Sequence, residues 1–194
     1  MLLSRVQIAQ VRNLDTVALD LSPRFNLFVG SNGAGKSTLG LLLAKSLAKD
    51  FVDTDLLIQL EHRKTLQDIL HQQGYLALRE QEEKVLLNAH YPNHVIATGG
   101  SAVYSEVAMH HLKQFGPIVF LDVALNELEQ RIHNMDNRGI ARPAHQGFDE
   151  VFAERRPLYM RYADIVIDCT GKPIEALVEE IICQEANAFT TEDA

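Results

Sequence analysis

Gly30-Ser31-Asn32-Gly33-Ala34-Gly35-Lys36-Ser37-Thr38 fits the pattern G-x-x-x-x-G-K-[ST] in full. In that pattern glycines permit a tight turn whose backbone N–H groups ring phosphate oxygens. The helix that follows offers its positive end, the lysine reaches the β- and γ-phosphates, and the serine gives a hydroxyl to Mg²⁺. The flanks are the ones the pattern requires. Phe25 to Val29 is an apolar strand-like run, and Leu39, Leu42, Leu43 and Leu47 recur at helical spacing behind it. A glycine-rich turn with an accidental Lys-Ser would need neither flank. Gly30, Gly33, Ala34, Gly35, Lys36, Ser37 and Thr38 are therefore the expected nucleotide-binding set, with ATP or GTP as ligand.

Outward from this loop the pattern alternates. Upstream, LLSRVQIAQV and TVALDL flank the polar RNLD and precede Ser22-Pro23, which predicts a β-hairpin. Downstream, short strands are expected at 50–53, 94–98, 117–123 and 164–168. Helices are expected up to about Leu60, over 65–70, 75–89, 104–115, 126–133, 148–162 and 173–185, with Gly74 as a helix boundary. Strands alternating with helices predict an α/β fold of the P-loop NTPase type, a parallel sheet with helices on both faces. The expected organisation is an N-terminal hairpin extension over 1–24, one phosphate-loop domain over 25–186 and a flexible tail over 187–194. Residues 134–148 show no period and carry Gly, Pro, His and Arg. A loop of that length is usually a lid or binding loop.

Composition narrows the function. In 194 residues, 18 Lys plus Arg stand against 26 Asp plus Glu, a net charge of −8. That balance argues against a general nucleic-acid binder, whose affinity comes from cationic side chains. Cys169 and Cys183 show no disulfide or zinc spacing, and no apolar run is long enough to span a bilayer. A reduced, cytoplasmic, monomeric protein is expected. His90, His94, His110 and His111 lack metal-ligand spacing on a common face.

Two resemblances carry the reading further. Residues 1–38 resemble the start of RecF-type and SMC-type ATPase heads, which place an I-x-x-x-R-N-L segment in strands before the phosphate loop. Those heads also need a distant signature motif and an acidic strand end that this chain lacks, and they run far longer. From the phosphate loop to about Glu180 the chain resembles the shikimate kinase family. FVDTD (51–55), GYLALREQE (74–82), VIATGGSAV (95–103), RGIARP (138–143), ERRPLY (154–159) and ADIVID (163–168) occur in that family's order.

The resemblance implies roles. Asp53 would help hold Mg²⁺ with Ser37 and act as base near the acceptor hydroxyl, and Asp55 would bind substrate hydroxyls. Alternation along an extended segment points both carboxylates to one side, while a helix N-cap explains only one of them. Arg79, in the family's F-R-x-x-E pattern with Leu78 at the aromatic position, would grip a substrate carboxylate. Its other reading is an exposed arginine paired with Glu82 or Glu83. Gly99 and Gly100 would let the acceptor lie against backbone, with Ser101 where the family has a third glycine. Arg155 would be the second carboxylate clamp, or else an ion-pair partner of Glu150 or Glu154; Arg156 is expected at the solvent face. The loop at 134–148 would be the lid, delivering Arg138 or Arg142 to the transferring phosphoryl group. Arg131 and Lys172 would flank the adenine, or be plain surface residues. The implied activity is phosphorylation of shikimate by ATP and Mg²⁺, a step toward chorismate and the aromatic amino acids. The alternatives are a kinase of another polyol acid such as gluconate, or a nucleotide-dependent DNA-repair or partner-binding module.

Overall fold

The computed structural model describes residues 5–8, 17–20, 26–131 and 139–190. Five parallel strands form the central sheet: β3 (Asn26–Val29), β4 (Asp50–Asp53), β5 (His94–Ala97), β6 (Ile118–Asp122) and β7 (Ile165–Asp168), in the order β4-β5-β3-β6-β7. Placing β3 at the centre puts the loop after it at the middle of the sheet's carboxyl edge, with β5 and β6 on either side. Ligands bind at this position in open parallel sheets. β1 (Arg5–Ile8) and β2 (Val17–Asp20) pair antiparallel as the expected hairpin, in a two-stranded sheet of their own.

Helices cover both faces. α1 (Lys36–Ser46) and α7 (Ile174–Thr190) border one core with Phe28, Leu43, Val119, Ile167 and Ile181. α4 (Glu106–Lys113) and α6 (Phe148–Tyr162) border the other with Val29, Ile96, Met109, Phe120 and Tyr159. Burial on both sides explains unbroken apolar runs such as IVFL at 118–121, which is fully buried. α5 (Leu125–Arg131) follows β6.

α2 (Thr54–His62) and α3 (Leu66–Leu87) form an outlying helical pair around Ile58, Ile69 and Leu78. Thr65 caps α3 with a reciprocal bond to Asp68. The boundary expected at Gly74 is present: its non-helical φ 84 and ψ 169 divide α3 into two helical halves that meet at a kink. The helix expected over 104–115 begins later, at Glu106, after a short 3₁₀ turn at Ala102–Tyr104. The tail expected from residue 187 is helical up to Thr190. Its sequence, NAFT, holds no glycine or proline to stop the helix.

Candidate active site

The phosphate loop links β3 to α1. Gly30, Gly33 and Gly35 all take positive φ, which an L side chain adopts only with strain. Lys36, first residue of α1, folds back so that Nζ donates to the carbonyls of Gly30 at 2.7 Å and Ser31 at 3.1 Å. The ammonium thus waits over the ring of backbone amides. Burial lowers its pKa to about 8, against the opposing pull of Asp55, Glu82 and Asp53. Ser37 and Thr38 are exposed on the first turn.

Asp53 ends β4 and performs two tasks. One carboxylate oxygen accepts from the Asp55 amide at 2.9 Å and caps α2; the other accepts from the Ser37 hydroxyl. The cap and the phosphate-loop contact therefore coexist in one residue. Asp55 does not lie on an extended segment, as alternation suggested, but in the first turn of α2. The helix turn still keeps it near Asp53, because capping bends the chain back over the strand end. Burial raises the Asp55 pKa to about 6, and the Asp53 charge adds to the rise while Lys36 opposes it.

A pocket of about 10 Å³ lies beside this edge, lined by Asn32, Asp55, Glu82, Gly100, Ala141 and Arg155 among others. That is room for about one water. Gly99 and Gly100 form its wall through bare backbone: a Cβ on Gly99 would collide with Glu82 Oε1 and Asp55 Oδ1, and one on Gly100 would collide with Asn32 Oδ1 and stand 3.0 Å from Arg155 Nη1. Ser101, where a third glycine was expected, donates its hydroxyl to Glu82 Oε2.

Arg155 is 2% exposed. Its guanidinium donates to Ala141 O at 2.8 Å, to Tyr104 Oη at 3.3 Å and to Asn32 Oδ1 at 3.4 Å. It turns inward rather than pairing with Glu150 or Glu154. One turn on, Tyr159 donates to Gly100 O at 2.6 Å, so one buried stripe of α6 holds both the guanidinium and the glycine wall. Arg156 is exposed, as expected, and there binds Asp122 at the end of β6 through two bonds of 3.1 and 2.6 Å. This ties α6 to the sheet edge.

Arg79 is not paired with Glu82 or Glu83 across any ion pair among the described residues. Its guanidinium lies 3.6 Å from the centre of the Tyr104 ring and donates to Ala141 O at 3.2 Å. Two arginines from different helices therefore converge on one main-chain oxygen.

The lid expected over 134–148 is described from Gly139 onward, and Arg138 lies outside the described residues. Gly139 N donates to Gln67 Oε1 at 2.8 Å, which fastens the segment to the first half of α3. Arg142 lines a separate open cleft of about 480 Å³ with Gln67, His71 and Tyr75. Arg131 pairs with Glu127 at 2.6 Å and Lys172 with Glu180 at 2.7 Å, so both match the surface alternative in this structure. Both cations nevertheless act on buried Cys169, whose thiol is pushed up to about 12 by burial. No cluster of three or more His, Cys, Asp or Glu suited to a metal occurs among the described residues. Ser37 and Asp53 still offer the hard oxygens that suit Mg²⁺, which takes few protein ligands beside phosphates and water. No helix among the described residues is long and apolar enough to cross a membrane.

Sequence reasoning missed four participants: Asn32, Glu82, Tyr104 and the Ala141 carbonyl. Glu82 had a signal, since it is the final residue of the F-R-x-x-E pattern, yet it was weighed only as a partner for Arg79. It is 3% exposed, its Oε1 has no hydrogen-bond partner, and burial beside Asp55 raises its pKa to about 7.

A parallel sheet with this loop at its central strand, beside a pocket of buried carboxyls and guanidiniums, defines a phosphate-loop nucleotide-binding protein. Comparison with known proteins makes the class specific. The family described as shikimate kinase matches residues 32–185, and the chain belongs to that family of ATP-dependent kinases. Shikimate kinase 2 of Serratia proteamaculans is 35% identical over 159 residues, covering 79% of this chain and 91% of the relative. A solved shikimate kinase from Acinetobacter baumannii in complex with shikimate superposes with a TM-score of 0.71 at 28% identity, over 82% of this chain and 90% of that one. The enzyme from Aquifex aeolicus gives 0.69 at 31% identity, over 85% and 98%. The hairpin lies before the matched region.

Proposed function

We propose that this chain transfers the γ-phosphoryl group of ATP to a hydroxyl of shikimate, forming shikimate 3-phosphate. The observation that carries the reading is the convergence of Arg79 and Arg155 on the Ala141 carbonyl, beside Asp55 and the Gly99-Gly100 wall. Two guanidiniums aimed at one oxygen make a seat for a planar carboxylate. A buried carboxyl close by reads hydroxyls, and the acceptor that unites these groups is a small polyol acid. The family relatives named above supply the identity of that acid.

In this reading Gly30 to Thr38 hold the nucleotide phosphates, and Lys36 leaves the Gly30 and Ser31 carbonyls to meet the γ-phosphate. Mg²⁺, held through Ser37 and Asp53, would neutralise phosphate charge. Asp55 orients the acceptor, and Asp53 takes the hydroxyl proton late in the transfer. Catalysis is chiefly positioning and charge neutralisation. Arg131 and Lys172 border the adenine once they release Glu127 and Glu180. A lid arginine, Arg138 or Arg142, completes the phosphoryl clamp; Arg142 must leave the α3 cleft to do so. The acceptor enters when residues 139–141 withdraw, because a pocket of about 10 Å³ admits no shikimate.

A coupled ADP-release assay with ATP and Mg²⁺ tests this, with shikimate, gluconate or no acceptor. Shikimate-dependent ADP release is expected, lost in Lys36→Ala and Asp55→Ala while both variants keep the circular dichroism of the parent. Release indifferent to shikimate, or faster with gluconate, would overturn the assignment.

A further inference from the structure

Arg79 and Glu82 stand three residues apart on α3, a spacing at which a guanidinium and a carboxylate ordinarily pair. Both line a cavity of about 250 Å³ on the outer side of the pocket. Yet no ion pair joins them among the described residues, and each retains a buried atom without a partner, Arg79 Nε and Glu82 Oε1. Each is engaged elsewhere: the Ser101 hydroxyl donates to Glu82 Oε2, while Arg79 lies on the Tyr104 ring and donates to Ala141 O. Serine at this place costs no backbone strain, since Ser101 has φ −97. Its side chain is therefore free to serve a purpose that glycine could not.

We propose that Ser101 is a positioning residue for acceptor recognition: its hydroxyl fixes the Glu82 carboxyl by one oxygen and so aims Glu82 Oε1 at an acceptor hydroxyl. The proposal rests on the shikimate reading above. Glu82 Oε1 is the oxygen that faces the glycine wall beside Asp55, for it and Asp55 Oδ1 are the two atoms that a Cβ on Gly99 would strike. The other charged and titratable groups around Glu82 are Lys36 of α1, Asp55 of α2, and Arg155 and Tyr159 of α6. Asp55 and burial favour the protonated carboxyl; Arg155, Lys36 and the Ser101 bond favour the carboxylate. Removing the Ser101 hydroxyl therefore shifts Glu82 toward its protonated form at a given pH.

The test compares the full chain with Ser101→Ala and Ser101→Thr. Titration of ¹³C-labelled glutamate carboxyls by NMR, with Glu82→Gln to identify the resonance, reads Glu82 directly. Steady-state kinetics with shikimate read its consequence. Ser101→Ala is expected to move the Glu82 midpoint to higher pH and to raise the acceptor KM about tenfold, more than it lowers kcat, the loss of one hydrogen bond to a charged group. The KM for ATP should stay put, and Ser101→Thr should restore both readouts. An unmoved midpoint, equal effects on KM and kcat, or no rescue by threonine would overturn the proposal. If Ser101→Ala does not fold, Ser101→Gly supplies the same comparison. A parent enzyme that ignores shikimate refutes the function reading, whereas the NMR midpoint decides the hold of Ser101 on Glu82 independently.

Discussion

Replacing Glu82 by glutamine should stabilise the protein by an amount that grows as pH rises from 4.5 to about 7 and is complete above that. The carboxyl is 3% exposed and its pKa rises from 4.5 to about 7, first because it is buried and then because Asp55 stands beside it. A carboxyl whose folded-state pKa exceeds its unfolded value favours the folded state less as pH rises. Below pH 4.5 both states hold the proton and nothing is lost; above pH 7 both release it, and the whole burial penalty of the charge falls on the folded state. A rise of roughly 2.5 pH units at about 1.4 kcal/mol each puts that penalty near ~3 kcal/mol at pH 8, against under about 1 kcal/mol at pH 5. Glutamine keeps the shape and can still accept from Ser101 through its amide oxygen. Urea denaturation of parent and variant at pH 5 and pH 8 reads the difference. The variant should gain about 3 kcal/mol at pH 8, a Tm increase of roughly 6–12 °C for a chain of this size. Equal gains at both pH values, or a loss at pH 8, would refute the reasoning.

Three further outcomes follow from the same geometry. Arg155→Lys should raise the shikimate KM about a hundredfold, because an ammonium cannot reproduce the forked contacts to Ala141, Tyr104 and Asn32; steady-state kinetics check it. Tyr159→Phe removes a buried 2.6 Å bond to Gly100 O and should cost about 1–3 kcal/mol of stability, measured by urea denaturation. Asp53→Asn should lower kcat far more than the KM for shikimate while leaving the α2 cap in place, since an amide oxygen also caps; far-ultraviolet circular dichroism and kinetics together separate the two effects.

How much of this was readable beforehand depends on how local each feature is. The phosphate loop and the parallel order of the sheet were legible because each rests on contiguous pattern: glycines at fixed places, then alternating apolar runs. Arg155 was legible from the residues around it. Asp53 and Asp55 were legible as a pair, though through the wrong geometry, since a cap at Asp53 folds Asp55 into a helix rather than an extended strand. The partners of Arg155 were not legible. Asn32 lies 123 positions away along the chain, and no periodicity reports such a contact. The Ala141 acceptor is a backbone oxygen, which every residue type carries alike. Arg156 was legible as solvent-facing, but its partner was not, for a related reason: Asp122 belongs to another element, and a helix pattern alone shows only which side chains share a face.

The oxygen between the two guanidiniums also bears on inhibitor discovery. Because it is main chain, no point substitution deletes it; drift in the lid sequence can alter how often it sits there, never what it is. A carboxylate inhibitor must displace a competitor that is tethered and therefore never diluted away. Its apparent affinity is its intrinsic affinity discounted by the fraction of time the seat stands open. Compounds that also fill the cleft holding His71 and Tyr75 would offset that discount with contacts of their own.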